Sequence, residues 1–182
     1  FVSVLDREKF IDYDIAYNYL KLLKYDLAVS AFNESLKSSF SDDYRYDTYL
    51  RIADSHFILK SYNSAIENYK RAIKLNSEST YPYFQIALSF GLIERNSEKI
   101  NQLKEIIESF PRSPILDDCY FELAITHANS ENFDKAIEYY NLTIEKFPKS
   151  VFTPKAILNK ALIIYNNGDL ISSENLLKEY VI

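Results

Sequence analysis

Residues 120–140 read YFELAITHANSENFDKAIEYY. Tyr120, Leu123, Ala124 and His127 fall on one side of a 3.6-residue helix, and Phe133, Ala136 and Tyr140 form a second such stripe. Between them the polar run Asn129-Ser130-Glu131-Asn132 is of the kind that closes an αα-hairpin. The stretch therefore predicts two antiparallel helices. Ala124 and Ala136 are small enough to let the backbones approach, and the bulky groups fill the rest of the seam.

The same pattern recurs along the chain. Ala16, Ala53, Ala87, Ala124 and Ala161 follow one another at intervals of 37, 34, 37 and 37 residues. One residue before each stand Ile15, Ile52, Ile86, Leu123 and, as an exception, Lys160; three after stand Tyr19, His56, Phe90, His127 and Ile164. Twelve residues after the alanine come Ala28, Ala65, Lys99, Ala136 and Ser173, and sixteen after come Phe32, Tyr69, Leu103, Tyr140 and Leu177. Lys99 and Ser173 break the small-residue rule, so the third and fifth units are expected to depart most. Phe110-Pro111-Arg112-Ser113 and Phe147-Pro148-Lys149-Ser150 end two units, where proline suits a helix stop.

This periodicity and residue pattern resemble the tetratricopeptide (TPR) family, whose repeats run about 34 residues with a small residue on each helix and an aromatic following on the second. Tyr120, Leu123, Ala124, His127, Ala136, Tyr140 and Pro148 carry the likeness in one repeat, and Tyr49, Ile52, Ala53, Ala65, Tyr69 and Ala72 in another. The resemblance implies an all-α fold, a right-handed α-solenoid of five helix-turn-helix repeats. Their expected limits are 9–45, 46–79, 80–116, 117–153 and 154–182, after an N-terminal lead-in at 1–8. The 37-residue spacing and the Phe-Pro-basic-Ser endings are further similar to TPR proteins of bacterial cell envelopes, such as the coordinator of the Tol-Pal system and the lipoprotein of the outer-membrane assembly machine. That likeness suggests a periplasmic or outer-membrane-associated setting, with a cytoplasmic one as the alternative.

Composition narrows the function classes. Hydrophobic residues make up 47% of the 182, aromatic ones 15%, which excludes a disordered chain. A net charge of −5, with no basic run beyond Lys70-Arg71, argues against nucleic acid, because neutralising phosphates needs a concentrated basic face. No apolar stretch approaches the roughly 18 residues that would insert in a bilayer, and Phe1 to Leu5 is too short for a signal-peptide core. The chain contains no methionine and ends on an apolar helix-like segment, so more protein is expected on at least one side.

Catalytic and metal chemistry find little support. Gly91 and Gly168 are the only glycines, too few for a dinucleotide turn or a P-loop. His56 and His127 occupy one repeat position that elsewhere holds Tyr19, Phe90 and Ile164, so they read as packing groups rather than members of a zinc site, which needs three or four convergent ligands. Cys119, beside Tyr120, reads as a small core residue, and a single cysteine cannot form an intramolecular disulfide. Asp42-Asp43 and Asp117-Asp118 read as N-caps and dipole partners of first helices. No cofactor, metal or catalytic residue is expected.

In TPR arrays the first helices line the concave face. Offsets of −3, +1 and +4 from each alanine place Tyr13, Tyr17, Leu50, Asp54, Phe57, Phe84, Leu88, Phe121, Ile125, Leu158, Leu162 and Tyr165 on that groove. A contiguous strip this apolar suits a protein interaction site, and the partner expected there is an apolar or aromatic peptide or helix. The Lys, Asn and Arg side chains with which some TPR domains grip a carboxylate terminus are absent: Tyr13, Tyr17, Leu50 and Asp54 stand there instead. Two further readings stay open, a self-association or spacer domain, including a homodimer, and the regulatory part of a longer enzyme.

Overall fold

The computed structural model describes residues 4–38 and 41–181, which form ten α-helices and no strand. They are α1 (Val4–Lys21), α2 (Tyr25–Ser35), α3 (Asp42–Ile58), α4 (Tyr62–Leu75), α5 (Thr80–Leu92), α6 (Asn96–Ser109), α7 (Leu116–Asn129), α8 (Phe133–Lys146), α9 (Thr153–Asn166) and α10 (Leu170–Val181). Helices α1 and α2, α3 and α4, α7 and α8, and α9 and α10 pack as pairs. Two compact units divide the chain, Phe1–Lys99 and Ile100–Ile182.

Two boundaries differ from the sequence reading. Helix α1 already starts at Val4, inside the segment expected as a lead-in, of which residues 1–3 lie outside the described residues. Helix α3 starts at Asp42, ahead of the expected limit at 46, because Asp42 and Asp43 sit within its first turn rather than before it. Asp117 and Asp118 likewise belong to the first turn of α7. These four carboxylates are therefore not caps; they oppose the positive end of the helix dipole.

The alanine pairs do what their size suggests. Ala16 and Ala28, Ala53 and Ala65, and Ala124 and Ala136 are all fully buried. The two irregular repeats solve the same close approach differently. A Cβ on Gly91 would come within 2.9 Å of Lys99 Cδ, so the glycine on α5 makes room for the buried lysine stem on α6. Ser173 donates its hydroxyl to the Ala161 carbonyl at 2.9 Å, which lets a small polar residue stand where alanine stands elsewhere.

Every hairpin turns through one residue in the left-handed region, always seven positions after the alanine: Leu23, Lys60, Glu94, Glu131 and Gly168, with φ between 56° and 91°. The next amide then reaches five residues back. Lys24 N–H donates to Tyr19 O, Ser61 to His56, Arg95 to Phe90, Asn132 to His127 and Asp169 to Ile164, at 2.8–3.2 Å. This is the six-to-one bond of a Schellman motif, and it satisfies a carbonyl that the helix end would leave open. Asn132 adds a side-chain cap, accepting from Lys135 N–H at 3.4 Å.

Successive hairpins pack through a constant set of offsets. In unit 1, Ile52 of α3 joins Ala16, Ala28 and Phe32, and Ile86 of α5 joins Leu50, Ala53 and Tyr69. In unit 2, Ala156 and Ile163 of α9 join Phe121, Ala124 and Tyr140, with Phe152 against them. At these three junctions the first helix of the following repeat closes the core of the one before it.

Ala124→Leu is expected to lower stability by about 1 to 3 kcal/mol, because the extra methylenes must force α7 and α8 apart. Ala128→Leu, on the half-buried rim, should cost clearly less. Denaturant midpoints of the two variants measured at equal slope provide the comparison.

Candidate functional site

In unit 1 the first-helix face carries a polar lattice. Tyr13 donates its hydroxyl to Asp47 Oδ2 at 2.7 Å, and Tyr17 donates to the same oxygen. Arg51 bridges two carboxylates, with Nη2 3.1 Å from Asp47 Oδ1 and Nη1 3.2 Å from Asp54 Oδ2, while its Nε donates to the Tyr17 hydroxyl at 3.1 Å. Asp54 Oδ1 accepts from Tyr69 and Tyr81, each at 2.8 Å. Side chains of α1, α3, α4 and α5 are so tied into one chain of charge-assisted bonds, the stronger kind of hydrogen bond. Burial, together with the nearby carboxylates, pushes the hydroxyls of Tyr13, Tyr69 and Tyr81 well above the usual tyrosine range.

Tyr13 and Tyr17, expected to face a partner, therefore spend their hydroxyls on Asp47 of the following repeat, and Asp54 spends its carboxylate on Arg51 and Tyr69 of its own repeat and Tyr81 of the next. The rings of Tyr13 and Tyr17 also meet Phe32 edge-on, with centroids 5.8 and 5.4 Å apart. Leu50 is buried, because α5 covers it, and must be corrected from groove to core. Phe57 is half-buried and meets Tyr62 edge-on; Phe84 and Leu88 are half-buried on α5.

Unit 2 presents a different face. Phe121 is 6% exposed and stacks on Phe152 at 4.9 Å, so it too belongs to the core and not to the groove. Ile125 and Leu162, by contrast, line a cleft of about 260 Å³ between α7 and α9, together with Ala128, Tyr140 and Ile163. Two carboxamides, Asn129 and Asn159, border it. Asn159 donates its amide to the Tyr140 hydroxyl at 3.3 Å, which leaves its carbonyl oxygen as an acceptor. On α9, Leu158, Leu162 and Tyr165 are 59%, 55% and 56% exposed.

The sequence reading missed Asp47, Arg51, Tyr81 and Asn159. A signal for two of them was present: the offset −2 holds Asp14, Arg51, Gln85, Glu122 and Asn159, polar in every repeat. Two of these side chains reach the preceding hairpin, Arg51 to the Tyr17 hydroxyl and Asn159 to that of Tyr140.

Of the cysteine and the two histidines, Cys119 and His127 are buried and His56 is half-buried. Burial pushes the Cys119 thiol up to about 12, with Asp118, Asp117 and Glu122 adding to it, so the thiol stays protonated at neutral pH. His127 stacks flat on Tyr139 at 5.5 Å, and burial, helped by Lys135 and Lys104, lowers its pKa; burial also lowers that of His56. Buried ring nitrogens His56 Nδ1 and His127 Nε2 have no hydrogen-bond partner. Among the described residues no group of three or more His, Cys, Asp or Glu side chains converges as metal ligands, and no helix is long and apolar enough to cross a membrane.

Hairpins of this size, closed by a repeated turn and tied through their first helices, define a helical-repeat array of tetratricopeptide type. Two stretches, 46–79 and 118–150, each match a model of the tetratricopeptide repeat. Over 96 residues the chain is 33% identical to the TPR repeat-containing protein MJ1428 of Methanocaldococcus jannaschii; the match takes 50% of this chain and 15% of that protein. Among solved structures, MamA is similar at a TM-score of 0.74 and 23% identity, over 93% of this chain and 88% of that one. YrrB, a TPR protein with an unusual peptide-binding site, is similar at a TM-score of 0.65 and 13% identity, over 91% of this chain and 80% of that one. At these identities the two structural likenesses concern the fold alone.

Asp54→Ala should cost about 1 to 3 kcal/mol, since it strips the buried Tyr69 hydroxyl of its acceptor. Asp54→Asn, which keeps an acceptor oxygen, should cost less; urea melts of both variants decide. The histidines set an acid limb. Their folded pKa lies below the unfolded value of about 6.5, so the unfolded chain takes up protons first and stability falls as pH drops through that value. The unfolding midpoint is expected to decline between about pH 7 and pH 5, and the pair of changes His56→Gln and His127→Gln should flatten that decline.

Proposed function

We propose that this chain is a non-enzymatic protein-interaction scaffold that holds a partner peptide or helix on the first-helix side of its fourth and fifth repeats. The observation that carries this reading is the cleft between α7 and α9, where apolar Ile125, Leu162 and Ile163 adjoin the carboxamides of Asn129 and Asn159. Such a combination takes one large apolar side chain into the cleft while the amides engage the main chain beside it, which is how a peptide is held with both affinity and direction. Within unit 1, the half-buried Phe57, Phe84 and Leu88 occupy groove offsets of their own repeats. The net charge of −5 disfavours a nucleic-acid partner.

The peptide-binding role of YrrB, a fold neighbour, supports the reading without specifying the ligand. The 37-residue spacing and the endings at 110–113 and 147–150 support placing the scaffold in a bacterial envelope, where it would serve assembly or maintenance.

Peptides selected by display against the immobilised chain should contain a large apolar residue. Leu162→Ala and Asn159→Ala should each weaken the best of them about tenfold or more, a loss of about 1.4 kcal/mol, while Lys135→Ala on α8 should leave affinity unchanged. Leu162 is exposed, so its truncation leaves the fold intact, and matched unfolding midpoints confirm this. A selection yielding no binder, or binders indifferent to both positions, would overturn the proposal.

A further inference from the structure

The turns that close the hairpins differ in chemistry between the two units, and offsets +5 to +8 after the alanine span each of them. In unit 1 they read Lys21-Leu22-Leu23-Lys24, Ile58-Leu59-Lys60-Ser61 and Leu92-Ile93-Glu94-Arg95. Half of these residues are apolar, and four basic side chains stand against one acidic. In unit 2 they read Asn129-Ser130-Glu131-Asn132 and Asn166-Asn167-Gly168-Asp169, with no apolar and no basic residue. The second kind is what a solvated turn ordinarily holds; the first asks what its apolar and basic groups meet.

The apolar tips of unit 1 stand in solvent: Leu23 is 70%, Ile58 51% and Leu92 53% exposed. Ile58 lies on a repeat with a neighbour packed on either side, so its exposure belongs to the turn itself. The offset of Leu23 is likewise exposed at Lys60 and Glu94. Leu23 also holds φ at 56°, in the left-handed region that Gly168 fills in the fifth repeat. A leucine there is disfavoured by the backbone and gains nothing from burial, a combination that points to a use for its side chain. One edge collects these tips. Tyr17 meets Asp47 and Asp54 meets Tyr81, the same two offsets at both junctions, so α1, α3 and α5 run side by side in one direction and end together. Beside the tips stand Lys21, Lys24 and Lys60, all exposed and without an ion pair among the described residues. Arg95 is paired with Glu98 at 2.6 Å, and Asp26 and Glu94 are the other acidic groups next to these turns.

We infer that this turn edge of unit 1 rests on an anionic lipid bilayer, with Leu23, Ile58 and Leu92 entering the interface and Lys21, Lys24 and Lys60 meeting the headgroups. Charge complementarity selects the occupant. The whole chain carries −5, so the basic edge is a local exception, which an anionic surface attracts while it repels the remainder. The apolar tips select lipid over an acidic peptide. A bilayer accepts side chains that project from separate turns without matching pits, and its affinity sums their burial with the attraction of the lysines. The contact lies on the surface of the bilayer: no helix among the described residues is long and apolar enough to cross a membrane. It does not draw on the cleft between α7 and α9, so loss of either leaves the other standing.

Co-sedimentation of the 182-residue chain with vesicles tests this. It should sediment with vesicles of phosphatidylcholine and phosphatidylserine and not with phosphatidylcholine alone, and added salt should release it. Lys24→Glu together with Lys60→Glu should lower the partition coefficient about tenfold or more, because each lysine at such a surface contributes severalfold. Leu23→Gly together with Ile58→Ser should lower it comparably. Glycine suits the backbone of that turn and Ile58 is exposed, so the fold is kept, as far-UV circular dichroism checks for all variants. The chain has no tryptophan, so the indole of Leu23→Trp reports alone. Its emission should move to the blue on anionic vesicles and be quenched by brominated acyl chains, while that of Ser130→Trp in unit 2 should do neither. A chain that ignores anionic vesicles, binding that survives either pair of changes, or a Leu23→Trp indole untouched by brominated lipid would each overturn the inference. Retention on immobilised polyglutamate without any binding to vesicles would overturn it too, and would assign the edge to an acidic protein.

Discussion

Everything in this molecule hangs on how closely the two helices of a hairpin can lie. At Ala16 and Ala28, Ala53 and Ala65, and Ala124 and Ala136, nothing larger than a methyl group stands between the backbones. That closeness brings residues such as Phe32, Tyr69 and Tyr140 beside the alanine of their own hairpin and in reach of the next first helix. The third and fifth repeats show that the requirement is one of space rather than of alanine itself. Gly91 cedes the room that Lys99 occupies, and Ser173 fits by returning its hydroxyl to a carbonyl of α9.

The fold was legible because this requirement leaves a trace at fixed intervals. Alanines recurring with bulky groups three and sixteen residues later admit few other arrangements, and polar runs such as Asn129 to Asn132 located the turns. What could not be read was the left-handed residue in each turn, because Leu23, Lys60, Glu94 and Glu131 are not glycines. Their conformation is imposed by the two helices they join. The compensation of Lys99 by Gly91 was equally hidden, since the two residues lie on different helices and neither is unusual alone.

The candidate site was legible only in part, and the reason is geometric. The offsets that point from a first helix toward the groove also point toward the following repeat, so Leu50 and Phe121 became core while Leu158, at the same offset on the fifth repeat, remained exposed. Amphipathic spacing identifies the side of a helix that avoids water and does not distinguish a neighbouring repeat from a partner molecule. The polar offset −2, where Arg51 and Asn159 reach a tyrosine of the preceding hairpin, carried the complementary information.

The two units join their repeats by different chemistry. In unit 1 a single guanidinium, that of Arg51, holds two carboxylates that four tyrosines also address or surround; in unit 2 the junction at α9 is made of Phe121, Phe152, Ala156 and Ile163. Mobile ions weaken partly exposed charge pairs, whereas strongly hydrated salts such as sulfate strengthen the burial of apolar surface. Ionic strength therefore weakens a contribution to the junctions of unit 1 that the α9 junction of unit 2 lacks, while the apolar contacts of both units respond to salt alike. A change in the salt around this chain would therefore alter the relative firmness of its two units without touching a single ligand.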